Sequence, residues 1–433
     1  MRASRISIVR IICRLNVGGP AIQAILMTEA FRARGYDTML VRGEVAAGEA
    51  TMEYLAAAHK VETVGIPALA RGGSCWKDLL SLGQLICILR RQKPVIVHTH
   101  TAKAGALGRL ASIVARTPIR VHTFHGHVFK GYFSPLVTRA FLLIERFLAR
   151  HTDCIIAISE SQRKELTCTY RIAPSHKIVV VPLGVDLAPF LEVNGPDGEL
   201  RASLQCQPST PLVGWVGRFT AIKAPGSFLH CVPLVTNIFP EARFVMVGGG
   251  ELRAECEQWI ARAELRNSVA LLGWRRSLAK IYADLDVVVC TSISEGTPVA
   301  LLEAMACGKP IVSPDVGGVR DLMVGPPVPF EGMEVFQNGI LVRRDVKLLA
   351  SAIRYLLENP ELRQVMGQAG REFVRDRFSQ HRLADDLEHI YVALARSKGL
   401  LPHNTSAARI TRPASVFTSF APAPTKNFEN LPK

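Results

Sequence analysis

Two doubly wound α/β domains are what this sequence predicts, and three observations predict them. First, the chain has 433 residues, too many for one ordinary core and suited to two domains of roughly 200 residues each. Second, short runs of Ile and Val alternate with amphipathic helical stretches from Ile6 to Phe378. That alternation is the pattern of parallel strands joined by helical crossovers with helices on both faces. Third, several strand runs end in glycine turns, at Gly18-Gly19, Gly217 and Gly248-Gly249-Gly250, the Rossmann-like strand–turn–helix unit that offers a helix N-terminus to a ligand. The Pro- and Gly-bearing stretch 187–200 reads as a linker, which puts the first domain at 1–186 and the second at 201–378.

In the first domain the strands are Ile6–Ile12, Thr38–Arg42, Val95–His98, Arg120–Phe124, Cys154–Ser159 and Ile178–Val181. Helices Ile22–Arg34, Trp76–Arg91, Ala106–Arg116 and Pro135–Arg150 fall between them. The last of these has apolar residues at helical spacing and a basic face of Arg139, Arg146 and Arg150. It reads either as a core helix with a solvated side or as a surface that meets anionic lipid. In the second domain the strands are Leu212–Val216, Arg243–Val247, Val269–Leu272, Asp286–Cys290 and Pro310–Ser313, with closing helices Leu348–Glu358 and Leu362–Phe378. A disordered tail is expected over 397–433, where five prolines stand among Ser, Thr and Ala without periodicity.

The net charge is +15, and +12 of it falls in residues 1–192. A basic first half calls for an anionic partner there. Nucleic acid fits poorly as that partner and none is expected: no binding motif is present, and aromatic residues make up only 7% of the chain. An anionic membrane surface or a phosphate-bearing acceptor fits better. No apolar run of 18 or more residues lacks a charge, so no membrane-spanning helix is expected. The start, Met1-Arg-Ala-Ser-Arg, has no signal-peptide core, and the ten cysteines include no Cys-x-x-Cys pair. Both features fit a cytoplasmic protein with reduced thiols, peripheral at most on the inner face of the cell membrane. The sequon Asn404-Thr405-Ser406 has no meaning in that compartment.

One stretch carries the chemistry: Ser294 to Ser313. Thr297 is a plausible N-cap and Pro298 a plausible first helical residue. Val299–Cys307 reads as a nearly all-apolar helix, with Gly308 as the left-handed residue past its end. Gly296 permits close approach to the backbone. A helix that opens after a buried strand is a ready site for phosphate. Glu303 inside the apolar helix is costly without a partner. Two readings of the acids stand side by side: Glu295 solvated and Glu303 structural, or both facing a ligand. A hydrolytic acid pair fits less well, because eight helical residues span about 12 Å and such pairs stand roughly 5–9.5 Å apart.

Five histidines, His98, His100, His122, His125 and His127, cluster within thirty residues. His98 and His100 share a strand face. They read as strand-end residues lining a cleft, or as part of a metal site, though no Asp, Glu or Cys nearby completes a ligand set.

The segment from Ser294 resembles the Glu-x7-Glu signature of the retaining glycosyltransferases of family 4, of bacterial surface-polysaccharide type. The match includes Ser-x-x-Glu-Gly before the helix, Glu-Ala-Met-Ala-Cys-Gly-Lys-Pro-Ile-Val through it, and Gly317-Gly318 after. It extends over most of residues 5 to 395. Gly217-Arg218-x4-Lys223 matches the family's Gly-Arg-x4-Lys-Gly except that Ala224 replaces the last glycine, and Leu183 replaces an expected Asn in Pro-x-Gly-Val-Asp.

The resemblance implies a GT-B fold, two Rossmann-like domains facing across a cleft, with a last helix within 379–396, at Arg382–Arg396, crossing back to the first. It implies transfer of a sugar from a nucleotide diphosphate-sugar, UDP-linked, to a hydroxyl of a glycan or lipid-linked acceptor, with retention and without a metal. Arg218 and Lys223 would take the diphosphate and Glu303 the ribose. Glu295 and the Gly296-Thr297-Pro298 backbone would take the sugar hydroxyls, with His125 near the reacting centre. Gly18 and Gly19 would lie against the donor, Trp274 would flank the base, and His100 and Lys103 would fall on the acceptor side. Two further readings remain: a nucleotide-sugar epimerase of the same architecture, and a non-catalytic membrane-surface binding protein.

Overall fold

The computed structural model describes residues 6–45, 51–69, 74–126 and 134–401. They divide into two units, one running to Val185 and resuming at Gln380, the other from Asp186 to Ser379.

The first unit is built on β1 (Ser7–Ile12), α1 (Gly19–Ala33), β2 (Asp37–Arg42), α2 (Glu53–Ala58), β3 (Thr63–Gly65), α3 (Cys75–Gln92) and β4 (Ile96–His100). It continues with α4 (Ala102–Val114), β5 (Ile119–Phe124), α5 (Pro135–Arg150), β6 (Cys154–Ala157), α6 (Glu160–Lys164) and β7 (Ile178–Val180). The sheet order is β3-β2-β1-β4-β5-β6-β7, and every pairing is parallel. Strands buried on both faces explain their unbroken Ile and Val runs. The order reverses direction between β1 and β4, the point where ligands sit in such sheets. The short elements α2 and β3 are invisible in the sequence: β3 has only three residues.

The second unit contains α7 (Ala188–Leu191), α8 (Glu199–Ser203), β8 (Leu212–Val216), α9 (Pro225–Thr236), β9 (Arg243–Val247), α10 (Arg253–Arg262) and β10 (Val269–Gly273). Then come α11 (Leu278–Asp284), β11 (Val287–Val289), α12 (Val299–Ala306), β12 (Ile311–Pro314), β13 (Val328–Phe330), β14 (Met333–Phe336) and β15 (Gly339–Val342). Helices α13 (Val346–Glu358) and α14 (Pro360–Arg377) close it. Its order is β10-β9-β8-β11-β12-β15-β14-β13. The core is parallel, but β13 and β14 pair antiparallel at one edge, an addition the sequence reading lacks.

Segment 187–200, read as a linker, is structured. It holds α7 and the start of α8, and the Asp284 carboxylate caps α8 from across the unit. Asp284 accepts the backbone N–H groups of Gly198 at 2.6 Å, Leu200 at 2.9 Å and Arg201 at 3.2 Å, the orphan donors of a helix start.

The chain from Gln380 forms α15 (Gln380–Ser397). This helix buries Leu383, Ala384, Leu387, Ile390, Tyr391 and Ala395 in one cluster with Ile8, Leu26, Met27 and Phe31. At about 1.5–3 kcal/mol for each large apolar side chain buried, that seam is worth roughly 10 kcal/mol, an upper figure. Arg34 and Tyr36 add polar contacts to Glu388, at 2.5 Å and 2.8 Å. Of the tail read from 397, Ser397 ends α15 and residues 402–433 lie outside the described set.

Candidate functional site

In the second unit the site is made of loops at the carboxyl ends of β8, β9, β11 and β12. Helix α12 opens at Val299 with Pro298 as its cap. The expected Thr297 cap is therefore displaced by one residue: Pro298 stays extended at φ −73°, ψ 106°. No side chain caps this end, which leaves its N–H groups for an external acceptor. Leu301, Leu302, Ala304, Met305 and Ala306 of this helix are buried, with β12 and α14 among the elements packed on it, while Val299, Ala300 and Glu303 are partly exposed. Gly367 of α14 makes that packing feasible, since a Cβ there would lie 1.9 Å from the Gly308 carbonyl oxygen.

Glu295 is fixed from several directions. Its carboxylate accepts from Lys223 Nζ at 2.5 Å and from Ser292 Oγ at 2.5 Å, and its side chain is 9% exposed while that of Lys223 is 26% exposed. Burial opposes the Lys223 charge, but the Glu295 carboxylate holds the ammonium above its ordinary value. The Glu295 carbonyl accepts from Gly318 N–H at 3.2 Å. Gly317 must be glycine: it has φ +53°, and a Cβ would fall 1.9 Å from the Glu295 carbonyl oxygen.

The turn bearing Arg218 and Lys223 is stitched to the same loop. Thr291 Oγ1 accepts from Trp215 Nε1 at 2.9 Å and donates to the carbonyls of Lys223 and Ala224, at 2.9 Å and 3.0 Å. Ile293 N–H reaches the Ile222 carbonyl at 2.8 Å. Ala224, where the family pattern has glycine, keeps the left-handed conformation at φ 46°, ψ 56°. Arg218 is half-buried just past β8 and has no carboxylate partner among the described residues. It stands near enough to Lys223 to disfavour that residue's charge.

Glu303 lies on α12 and accepts from Tyr282 Oη at 3.0 Å, the partner that its place in an apolar helix requires. Burial pushes its carboxyl up to about 7, the Tyr282 hydrogen bond pulling the other way. Tyr282 packs edge-on to Phe190 of α7, at 5.9 Å between ring centroids. Trp274, just past β10, is 47% exposed. Its indole Nε1 occupies space that a Cβ on Gly249 would approach to 2.8 Å.

In the first unit, Gly18 caps α1 and Gly19 is its first residue, so the helix begins earlier than the expected Ile22. His100 ends β4, two residues beyond the expected strand. Its Nδ1 meets His125 Nε2 at 3.0 Å. His98 stacks on His100 with centroids 4.4 Å apart. His122 points to the opposite face, where its Nδ1 meets Thr99 Oγ1 at 2.9 Å. Burial holds His98, His100 and His122 well below the usual imidazole range and takes His125 down to about 3, so all four are neutral at ordinary pH. Lys103, expected on the acceptor side, forms an ion pair with Asp78 of α3 at 2.5 Å. His127 lies outside the described residues. Among the described residues, no three His, Cys, Asp or Glu side chains are grouped to hold a metal ion.

Structure thus brings Lys223, Glu295 and Ser292 into one cluster and puts Glu303 with Tyr282. Sequence reasoning missed Ser292, Thr291 and Tyr282. Tyr282 stands 21 residues before Glu303 on another helix, a separation with no periodic signal. Ser292 and Thr291 had a weak one, polar residues directly after a buried strand.

Helix α5 also departs from its core reading. Leu136 is 81% exposed, Leu143 58% and Phe147 49%. Its buried residues are Leu148 and Ala149 toward the C-terminal end and Glu145, which accepts both Nη2 contacts of Arg109 at 2.8 and 2.7 Å.

Comparison with known proteins adds two families and a set of relatives. The family described as Glycosyl transferases group 1 matches residues 210–359, and the one described as Glycosyltransferase Family 4 matches residues 17–189. The chain is 31% identical over 324 residues to a D-inositol 3-phosphate glycosyltransferase of Segniliparus rotundus, covering 71% of this chain and 68% of that protein. It is 29% identical over 337 residues to the UDP-Gal:alpha-D-GlcNAc-diphosphoundecaprenol alpha-1,3-galactosyltransferase of Escherichia coli, covering 77% and 84%. The sucrose-phosphate synthase of Thermosynechococcus elongatus shares the fold at a TM-score of 0.74 and 22% identity, over 91% of this chain and 100% of that one.

Proposed function

The chain belongs to the family 4 glycosyltransferases, and from that premise we propose that it moves a hexose from a UDP-sugar to a lipid-diphosphate-linked glycan, with retention and without a metal. The observation that carries this reading is the Lys223–Glu295–Ser292 cluster beside the uncapped start of α12. Fixed cations and unused N–H groups beside a buried carboxylate form a site for a diphosphate joined to a polyol.

In this mechanism Arg218, Lys223 and the first N–H groups of α12 take the diphosphate. As the sugar–phosphate bond lengthens, charge grows on the departing oxygens. Cations already in place then stabilise the transition state more than the ground state. They supply the charge neutralisation that a metal would otherwise give. Glu295 and the backbone of 296–298 accept and donate to sugar hydroxyls, and Glu303 accepts from the ribose. His125 faces the sugar near the reacting carbon. As membership of the family implies, the acceptor attacks from the face that the diphosphate leaves, and a departing phosphate oxygen takes its proton. Gly18 and Gly19 lie against the donor, Trp274 flanks the base, and His100 lies on the acceptor side.

The acceptor class draws on the +12 charge of residues 1–192 and on the exposed apolar side chains of α3 and α5. Trp76 is 67% exposed and Leu136 81%, and Arg139 and Arg150 are exposed on α5. Among the described residues no helix is long and apolar enough to cross a membrane. Apolar groups beside arginines fit a peripheral contact with anionic lipid.

The test is a panel of nucleotide-sugars incubated with and without a polyprenyl-diphosphate-linked glycan, with and without EDTA. Consumption of one UDP-hexose only when the acceptor is present, unchanged by EDTA and giving an axial product linkage from an axial donor, is the expected result. Donor conversion without acceptor overturns the transfer reading in favour of epimerisation. Vesicle binding with no nucleotide-sugar turnover overturns it in favour of a binding protein.

A further inference from the structure

Behind His100 and His125 lies a polar row of the first unit whose other members, Arg10, His98 and Tyr391, have no part in the transfer reaction above. Arg10 of β1 is fully buried. Strand register places it beside His98 of β4, which itself pairs across to β5, where Thr123 lies opposite His100. Alternation along the strands puts Arg10, His98, His100, Thr123 and His125 on one sheet face, the one covered by α1 and α15. No ion pair joins Arg10 to a carboxylate among the described residues. Its Nη2 donates to Tyr391 Oη at 3.3 Å, and its Nε and Nη1 have no partner. The guanidinium lies 4.8 Å from the Phe31 ring centroid and 5.9 Å from that of Tyr391.

Donor and acceptor logic then orders the row. Arg10 can only donate, so the Tyr391 hydroxyl accepts from it and gives its own hydrogen to His98 Nδ1, at 2.5 Å. A neutral His98 therefore carries its proton on Nε2, which donates to Thr123 Oγ1 at 2.7 Å. His98 in turn stacks on His100 with ring planes 31° apart, and His100 shares one hydrogen with His125. Two buried nitrogens remain unpartnered, His100 Nε2 and His125 Nδ1.

We infer that Tyr391 and Arg10 are positioning residues for His125: Arg10 fixes the direction of the Tyr391 hydroxyl, that hydroxyl locks the His98 tautomer and ring plane, and the His100 ring stacked on His98 holds His125 so that its Nδ1 is offered to the sugar. This rests on the placement of His125 beside the sugar. An arginine without a carboxylate is costly to bury, and its charge opposes protonation of His98 and His100. The remaining ionisable groups around the row are His122 and Arg109, both cationic or neutral, and Cys154 near Tyr391, whose thiol burial holds protonated. Among the described residues no carboxylate faces the row.

The test combines NMR of the full chain carrying 15N-labelled histidine with turnover at saturating donor. In the unliganded protein His98 should be the Nε2–H tautomer and should not titrate between pH 8 and 5.5. Tyr391→Phe should lower kcat about 10-fold with donor KM within twofold, and Arg10→Met, which leaves the Tyr391 hydroxyl without its donor, should lower kcat in the same sense. A His98 that titrates near the ordinary imidazole value, or a Tyr391→Phe variant with wild-type kcat and pH profile, overturns the inference. Should Arg10→Met fail to fold, the wild-type NMR and Tyr391→Phe still decide. His125→Ala separates the two levels. If it loses turnover while Tyr391→Phe does not, the positioning role fails and the site reading stands. If it keeps turnover, the site reading fails, and with it the function assigned to the row.

Discussion

Lys223 and Glu295 make one device, and their coupling is measurable. The Lys223 Nζ–Glu295 Oε1 contact is 2.5 Å, with side chains only 26% and 9% exposed. Removing Lys223 deletes a cation aimed at the diphosphate. It also leaves a nearly buried carboxylate with Ser292 alone to hold it. Each loss is of the kind that costs about 10²-fold in turnover, some 2.7 kcal/mol of barrier. Glu295→Ala deletes the sugar contact and releases the lysine from its position. Because each single change already spoils the other residue, the double variant should lose about 10³-fold rather than 10⁴-fold, a coupling of roughly 1.4 kcal/mol. The assay is release of nucleoside diphosphate at saturating donor and acceptor for the wild type, both singles and the double. Turnover near wild type in either single would overturn the site. Full additivity would show that the two side chains work apart, and that the contact in the unliganded chain has no catalytic meaning.

Three more outcomes follow from the same geometry. Gly317→Ala should abolish measurable turnover while leaving α15 and the first sheet folded by circular dichroism and proteolysis, because the new Cβ would fall 1.9 Å from the Glu295 carbonyl oxygen. Ala224→Gly should raise stability by about 1 kcal/mol or less in a denaturant series, the relief of a left-handed non-glycine residue less the added freedom of the unfolded chain. Glu303 has its carboxyl raised to about 7, so the folded chain binds a proton that the unfolded chain does not. Stability should therefore fall as pH rises from about 4.5 to 7 and level off above, whereas donor binding, which uses the carboxylate, should weaken below pH 7. In Glu303→Gln the donor KM should lose that pH dependence.

Much of this was legible because parallel sheets announce themselves. Strands buried on both faces must be apolar throughout, and β1, β8 and β9 were readable as Ile and Val runs for that reason. The helix after β11 was readable from Gly308 and its apolar length, although its cap fell on Pro298 rather than Thr297. What escaped detection was stabilised by distant residues. Helix α8 is held by Asp284, more than eighty residues away, so its local sequence looks like a linker. The antiparallel strands β13 and β14 have three and four residues, too short for alternation to register. Likewise Lys223 and Glu295 were visible as motif positions, but nothing in the order of residues says that a serine three places before Glu295 completes its shell.

The C-terminal helix makes the same point from the other direction. The family resemblance forecasts a helix there, and Leu383, Leu387 and Ile390 form its buried stripe. Tyr391 fits that stripe too, and by periodicity alone it is one more core aromatic. Only Arg10, 381 residues earlier, gives its hydroxyl a different meaning. An arginine in the middle of a buried strand breaks the apolar run without breaking the strand, and the chain tolerates it at a desolvation cost that no carboxylate offsets. A fold optimised for stability alone would place a methionine or leucine there. That Arg10 stands beneath a row of neutral histidines, and is tied to it by the Tyr391 hydroxyl of α15, is the physical reason to look for its role in the chemistry rather than in the packing.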